Sequence, residues 1–272
     1  MRKLLPGSVA LVALCVSIPA MAADLEVGAP GPAYKAVRPV VRSYDWSGFY
    51  IGGNVGGHWG VDKVTTVTDV DFEGLGAPAG AAIDAASPAT LHPQGFIGGI
   101  QAGYSIEGSG GVFGIEVDAN WLRGAATRTL TNIPVITPGD AMTNTTQASF
   151  ISTMRMRWGT TVFSDRSLFF VTAGFAFGTL KTTDTMGHFG NAVVTATTSN
   201  TTEPGLAAGG GFDYAFTDNW SARFEYLYVA LKNVGTTIPT TGLFADSIAV
   251  NHDYSEHIAR FGLNYKFSGS SF

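Results

Sequence analysis

Apolar and polar residues alternate with a period of two along most of this chain. From Phe49 onward, Phe49, Ile51, Gly53, Val55, Gly57 and Trp59 form one face, and Tyr50, Gly52, Asn54, Gly56, His58 and Gly60 form the other. Such alternation is the signature of a β-strand, whose successive side chains point to opposite sides. Seven more segments repeat it: 96–106, 112–122, 147–163, 168–180, 205–216, 220–230 and 257–267. In each, one face is rich in aromatic and branched residues, and the other holds glycine with isolated polar or charged side chains. Each segment has the length of a tilted strand crossing a bilayer.

The connections alternate as well. Those between the first and second, third and fourth, fifth and sixth, and seventh and eighth segments are long: 60–94, 123–146, 181–203 and 231–254. The others are short: "EGSGG", "SDRS" and "TDN". The expected fold is therefore all-β: an eight-stranded antiparallel transmembrane β-barrel with long external loops and short periplasmic turns. A soluble barrel has the same period but carries its apolar face inward. Here the apolar faces end in aromatics, as membrane-interface girdles do, and the opposite faces suit a narrow filled interior. The glycine-rich run "GGNVGGHWG" (52–60) fits this frame. It lacks the lysine and hydroxyl of a phosphate-binding loop, and its glycines belong to a strand whose inner side has little room.

Composition sharpens the assignment. Of 272 residues, 45% are hydrophobic, only 14% are charged and 35 are glycine; soluble domains average roughly 25% charged. The formal charge of −5 argues against nucleic acid as a partner. Residues 1–22 have the form of a secretory signal peptide: Arg2 and Lys3, an apolar run over 8–18, and the small-residue site Ala20-Met21-Ala22. Their loss would remove the only cysteine, Cys15, and with it any disulfide or thiolate metal site. It would also take the 16 basic residues to 14 against 21 acidic, a charge of −7. Residues 23–47, with Pro30, Pro32 and Pro39, read as a periplasmic linker, 48–267 as the barrel and 268–272 as a short tail.

The segment "YDWSGFYIGGNVGGHWG", after an "ADL" start and a proline-containing spacer, resembles the first strand of the small outer-membrane antigens of alphaproteobacteria, eight-stranded barrels of the porin family. "RFGLNYKF" (260–267) is similar to the C-terminal assembly signal of outer-membrane barrels, with Gly262, Tyr265 and Phe267 as its elements. The added "SGSSF" leaves Phe267 and Phe272 as alternative terminal aromatics. The resemblance implies a non-enzymatic barrel in the cell outer membrane with periplasmic termini. Its partners would be outer-membrane lipid, lipopolysaccharide and the barrel assembly machinery. Its role would be envelope integrity and surface display with little or no pore activity; a small-solute porin, or a receptor for haemin or a host ligand, would be the alternatives.

Charged residues on the inner faces are the main candidate site: Glu116, Asp118, Asp213 and Glu225 facing Arg155, Arg157, Arg223, Arg260 and Lys266. They make either an ion path or a salt-bridge plug, and the narrow lumen of eight strands favours the plug. Haemin-binding relatives make His92, His188 and His252, all expected in external loops, candidate haem ligands. His58 falls near a strand end and His257 at the start of the last strand. No cofactor is required by the spacing of these residues. Asp69, Asp71 and Glu73 lack the full pattern of a calcium loop. "NHDYSEH" gathers His252, Asp253, Ser255, Glu256 and His257, but strand neighbours point apart, so no catalytic set forms.

Overall fold

The computed structural model describes residues 43–68, 81, 84–131, 141–189, 192–232, 234–239 and 247–267. The expected signal peptide, most of the linker, the acidic run from Asp69 to Glu73 and the tail with Phe272 lie outside the described residues.

Among the described residues, eleven antiparallel strands form one sheet: β1 (Gly48–Thr68), β2 (Ala89–Leu91), β3 (Gln94–Gly108), β4 (Gly111–Arg123), β5 (Ala126–Thr131), β6 (Ala141–Thr161), β7 (Ser167–Phe189), β8 (Ala192–Ala215), β9 (Trp220–Leu231), β10 (Val234–Pro239) and β11 (Ser247–Lys266). Eight of them, β1, β3, β4, β6, β7, β8, β9 and β11, pair in sequence, and β11 pairs back with β1 from Tyr50↔Lys266 to Thr68↔Ile248. The sheet is thus a closed barrel without free edges across its span. Strands β2, β5 and β10 add to β1, β6 and β11 at the end that carries the long connections.

The outward positions between the two aromatic girdles carry no Asp, Glu, Lys or Arg. Large apolar side chains stand exposed there, among them Val55, Ile100, Met156, Phe175 and Phe261, each above 60%. A soluble sheet would bury them; a hydrocarbon surround makes the exposure favourable.

Several strands run well past the lengths expected from the sequence. β1 continues to Thr68, β6 begins at Ala141, β7 reaches Phe189 and β11 begins at Ser247. Much of what reads as loop in 60–94, 123–146, 181–203 and 231–254 is therefore strand. The reason is physical: beyond the girdle the outer face meets water, so threonine and lysine can occupy it and the apolar alternation fades. A bulge between Ala148 and Phe150 also shifts the phase of β6. Met142, Asn144 and Thr146 point inward on one side of it, and Ile151, Arg155 and Arg157 on the other.

Candidate functional site: the filled lumen

The inward side chains form tiers along the barrel axis. The first lies at the short-turn end, where residues 43–47 fold across the mouth. The Tyr44 amide donates to Asp165 Oδ2 at 2.7 Å, the Trp46 amide to Glu107 Oε2 at 2.9 Å, and the Trp46 indole to the Asp165 carbonyl at 2.8 Å. Their rings meet edge to face at 4.8 Å, and both are buried against Val112, Leu168 and Ala215. The cavity behind them has about 20 Å³, room for a single water. The last residues of the expected linker are thus part of the barrel.

The second tier gathers eight of the nine charged residues singled out from the sequence. Arg155 donates to Glu225 Oε1, Glu116 Oε1 and Asp118 Oδ2, each at 2.7 Å. Arg260 donates to Glu225 Oε2 at 2.6 Å and to Asp118 Oδ2 at 2.9 Å. Arg223 grips Asp213 with two nitrogens, at 2.7 and 3.0 Å, and also reaches Glu116. Arg157 donates to Asp213 at 2.7 Å and to the Tyr50 hydroxyl at 3.0 Å, and its guanidinium lies 4.1 Å from the Phe170 ring centre. Thr153 and Asn120 occupy further lone pairs of Asp118. Four guanidiniums and four carboxylates balance, and all are buried. Burying a charge is costly unless it is paired and its remaining hydrogen-bonding groups are satisfied, and both conditions hold here.

Lys266 departs from the expected network. It is the last residue of β11, so its ammonium lies at the mouth, 4.2 Å from the Tyr44 ring centre and bonded to the Asp45 carbonyl.

Glycine makes the cluster sterically possible. Six of its members stand directly opposite a glycine on a neighbouring strand: Glu116 opposite Gly103, Arg155 opposite Gly174, Arg157 opposite Gly114, Arg223 opposite Gly262, Glu225 opposite Gly211 and Arg260 opposite Gly56. A Cβ at Gly56 would sit 2.7 Å from the Arg260 Cα and one at Gly174 2.6 Å from the Arg155 Cα.

Above the charges lies an apolar tier that includes Ile97, Leu122, Ile151, Leu180, Leu227 and Ile258. Beyond it is a second polar tier. His58 Nδ1 is 3.0 Å from Glu256 Oε1, and its Nε2 is 3.1 Å from the Arg123 carbonyl. Tyr254 donates to the same Glu256. Further out, His252 Nδ1 lies 2.8 Å from Asp62 Oδ2, and its Nε2 is 3.5 Å from Asp184 Oδ2. Thr146 donates to Asp62 and Asn144 to Asp184, at 2.5 and 2.7 Å. His252 sits beyond the girdle, in the part of the barrel bathed by water. Burial alone would lower its pKa, but hydrogen bonds and charges from Asp184 and Asp62 prevail and hold it at about 9.

These positions correct the reading of the histidines. His252 is not in an exposed loop but fully buried between two aspartates, so it is not a surface ligand for haem. Of the other two haem candidates, His92 is exposed, and the side chain of His188 lies outside the described ones. His257 faces outward, 2.7 Å from the Tyr226 hydroxyl. Within "NHDYSEH", His252 and Glu256 point in while Asp253 and His257 point out, as strand alternation requires. Among the described residues no group of three or more histidines and acids is arranged to hold a metal ion. The mouth cap and the second polar tier escape a sequence reading. Parity was the available signal: His58 and Asp62 continue the inward set begun at Tyr50.

Comparison with known proteins agrees with this architecture. The chain is 31% identical over 259 residues to the 31 kDa outer-membrane immunogenic protein of Brucella melitensis, covering 95% of this chain and 98% of that one. Among solved structures, the chain matches OprG of Pseudomonas aeruginosa (12% identical, TM-score 0.46, 84% of this chain and 99% of that) and the neisserial surface protein NspA (14% identical, TM-score 0.35, 81% and 98%). The family described as outer membrane protein beta-barrel domain matches residues 8–267, and this chain belongs to it.

Proposed function

We propose that this protein is a non-conducting, non-enzymatic outer-membrane barrel that reinforces the envelope and displays its long-connection end to the outside, with both termini in the periplasm. One observation carries the reading: among the described residues, three successive tiers of side chains fill the lumen. The aromatic cap, the neutral ion cluster and the apolar tier stand in series. An ion on the axis would have to break the paired charges and then cross a dry apolar layer. The orientation rests on the contrast between three short turns and the long connections at the opposite end. Surface display is in keeping with the word "immunogenic" in the name of the Brucella relative. Gly262, Tyr265 and Phe267 serve in this reading as the signal for the assembly machinery. Phe267 closes the barrel seam: its amide donates to the Phe49 carbonyl at 2.9 Å and the two rings stack.

Single-channel recording of residues 23–272, refolded into a planar bilayer, tests the proposal. Silence from folded protein is expected. Steady openings whose size scales with salt, and which change in Glu116→Gln or Arg157→Gln, would make it a porin instead.

A further inference from the structure

The second polar tier is not balanced as the membrane-level cluster is. Its acids are Asp62, Asp184 and Glu256, its bases are His58 and His252, and all five are buried. His58 offsets at most Glu256, its partner at 3.0 Å. His252 is shared between Asp62 and Asp184, at 2.8 and 3.5 Å. Even with both imidazoles protonated, three carboxylates against two cations leave one negative charge in the lumen. The other bases at this end do not cancel it. Lys63, Arg123 and Lys181 are exposed on the outer surface, and the Arg128 guanidinium donates to the carbonyls of Ser87 and Pro88.

One oxygen atom locates the surplus. Asp62 Oδ2 accepts from Thr146 and faces His252 Nδ1, whereas Asp62 Oδ1 is fully buried and has no hydrogen-bond partner among the described residues. Both oxygens of Asp184 are engaged, by Asn144 and by His252. Along the axis the neighbours are largely apolar. Val64, Val250 and Met142 follow further out, and Tyr254, Leu180 and Ala148 lie toward the membrane, all of them buried.

A buried carboxylate oxygen without a partner calls for a water or an ion. A water would complete the hydrogen bonding but leave the net charge in place, and the charge is what is costly to bury. A hard cation meets both needs, because carboxylate, hydroxyl and amide oxygens are the ligands such ions take. Thr146 and Asn144 carry oxygens of that kind on the same inner face. A surplus of one charge also selects the ion: a divalent cation would invert the imbalance, whereas a monovalent one cancels it. We propose that this tier binds a single monovalent inorganic cation, sodium or potassium, with Asp62 Oδ1 as its anchoring ligand. The site stands on the fold and is independent of whether the lumen conducts.

The full chain, refolded into nanodiscs, is compared in sodium, potassium and choline chloride at one ionic strength and one neutral pH. Hydrogen exchange of the amides around Val64 and Val250 reads this tier, and folding is checked by the heat-dependent shift in gel mobility. Exchange should slow saturably in sodium or potassium, by about tenfold at ten times the half-saturating concentration, and stay fast in choline. Amides at the level of Arg155 should not respond. Asp62→Asn, which removes the surplus charge and keeps the shape, should abolish the effect. Thr66→Val, which removes a second unpartnered buried oxygen on β1, should retain it. Identical exchange in all three salts would overturn the proposal and leave a buried water at Asp62. An undiminished effect in Asp62→Asn would place the cation elsewhere, and protection by calcium or magnesium alone would overturn the single charge. The salt comparison uses the unmodified chain, so it decides the proposal even if Asp62→Asn does not fold.

Discussion

The membrane-crossing half of the barrel and the half that rises beyond the girdle share one sheet but solve different problems. In the first, hydrocarbon lies outside, so no outward residue is Asp, Glu, Lys or Arg and charge is confined to the lumen. In the second, water lies outside, so Lys63, Thr65 and Lys181 are admitted there and the lumen keeps a smaller polar set around His252. The lumen pairings differ in strength accordingly. Within the membrane, guanidiniums meet carboxylates through several short bonds; beyond it, a single imidazole is shared between two aspartates. The difference teaches that the membrane-level cluster is charge-balanced while the outer tier is acid-rich, and that each tier can be perturbed separately.

The largest effect is expected from Arg155→Ala. It strips Glu116, Asp118 and Glu225 of a shared cation in a dry interior, and loss of one partner of a buried ion pair costs about 3–5 kcal/mol. Urea unfolding in lipid vesicles should show the midpoint falling accordingly. Next comes Met154→Lys on the outer face, midway between Phe150 and Trp158, at about 2–4 kcal/mol for a cation facing hydrocarbon. The same change at Thr65, on the outer face beyond the girdle, should cost no more than about 0.5 kcal/mol. If both lysines cost the same, the boundary between the two halves has been misplaced.

The third prediction concerns pH. His252 is held near 9 in the folded barrel, above its value in an unfolded chain of about 6.5. A raised pKa adds stability that is fully present below pH 6.5 and disappears as pH rises through 9. Hydrogen exchange of the amides around Val250 and Val64 should therefore quicken between pH 7 and 9.5 by more than the intrinsic rate. His252→Gln should remove that extra dependence and leave the membrane-spanning amides untouched. The smallest effect is expected for Thr129→Ala, which breaks one exposed hydroxyl contact with Thr143. Its cost, read from the same urea midpoints, should stay within about 0.5 kcal/mol.

The same contrast explains what the sequence reveals. The eight crossing strands are legible because lipid enforces an apolar residue at every second position, so parity gives the inward face and with it the partners of the ion cluster. Asp213 and Arg223, for instance, flank a three-residue turn and pair directly. Past Trp59 the constraint relaxes. In "VDKVTTVT" the outward Lys63 and Thr65 are as polar as the inward Asp62 and Thr66, so the strand looks like a loop and His252 looks like a surface residue. The cap is hidden for another reason. Tyr44 and Trp46 precede the first strand; their amides bond to Asp165 and Glu107 and their rings pack on Val112, Leu168 and Ala215, all far away in sequence. No local period encodes that contact.

The ion cluster ties together strands that are not neighbours. Arg260 on β11 reaches Asp118 on β4, Arg223 on β9 reaches Glu116 on β4, and Arg155 on β6 reaches Glu225 on β9. None of these bonds can form in an open sheet, where the strands lie side by side and the charged groups remain hydrated. The guanidiniums and carboxylates therefore shed their water only when the first and last strands meet. A barrel short of one strand, or closed in the wrong register, would hold unmatched charge in its interior. Such a molecule would lose these bonds and bear the cost of the unpaired charge, so the wiring across the lumen favours the correctly closed barrel over those alternatives.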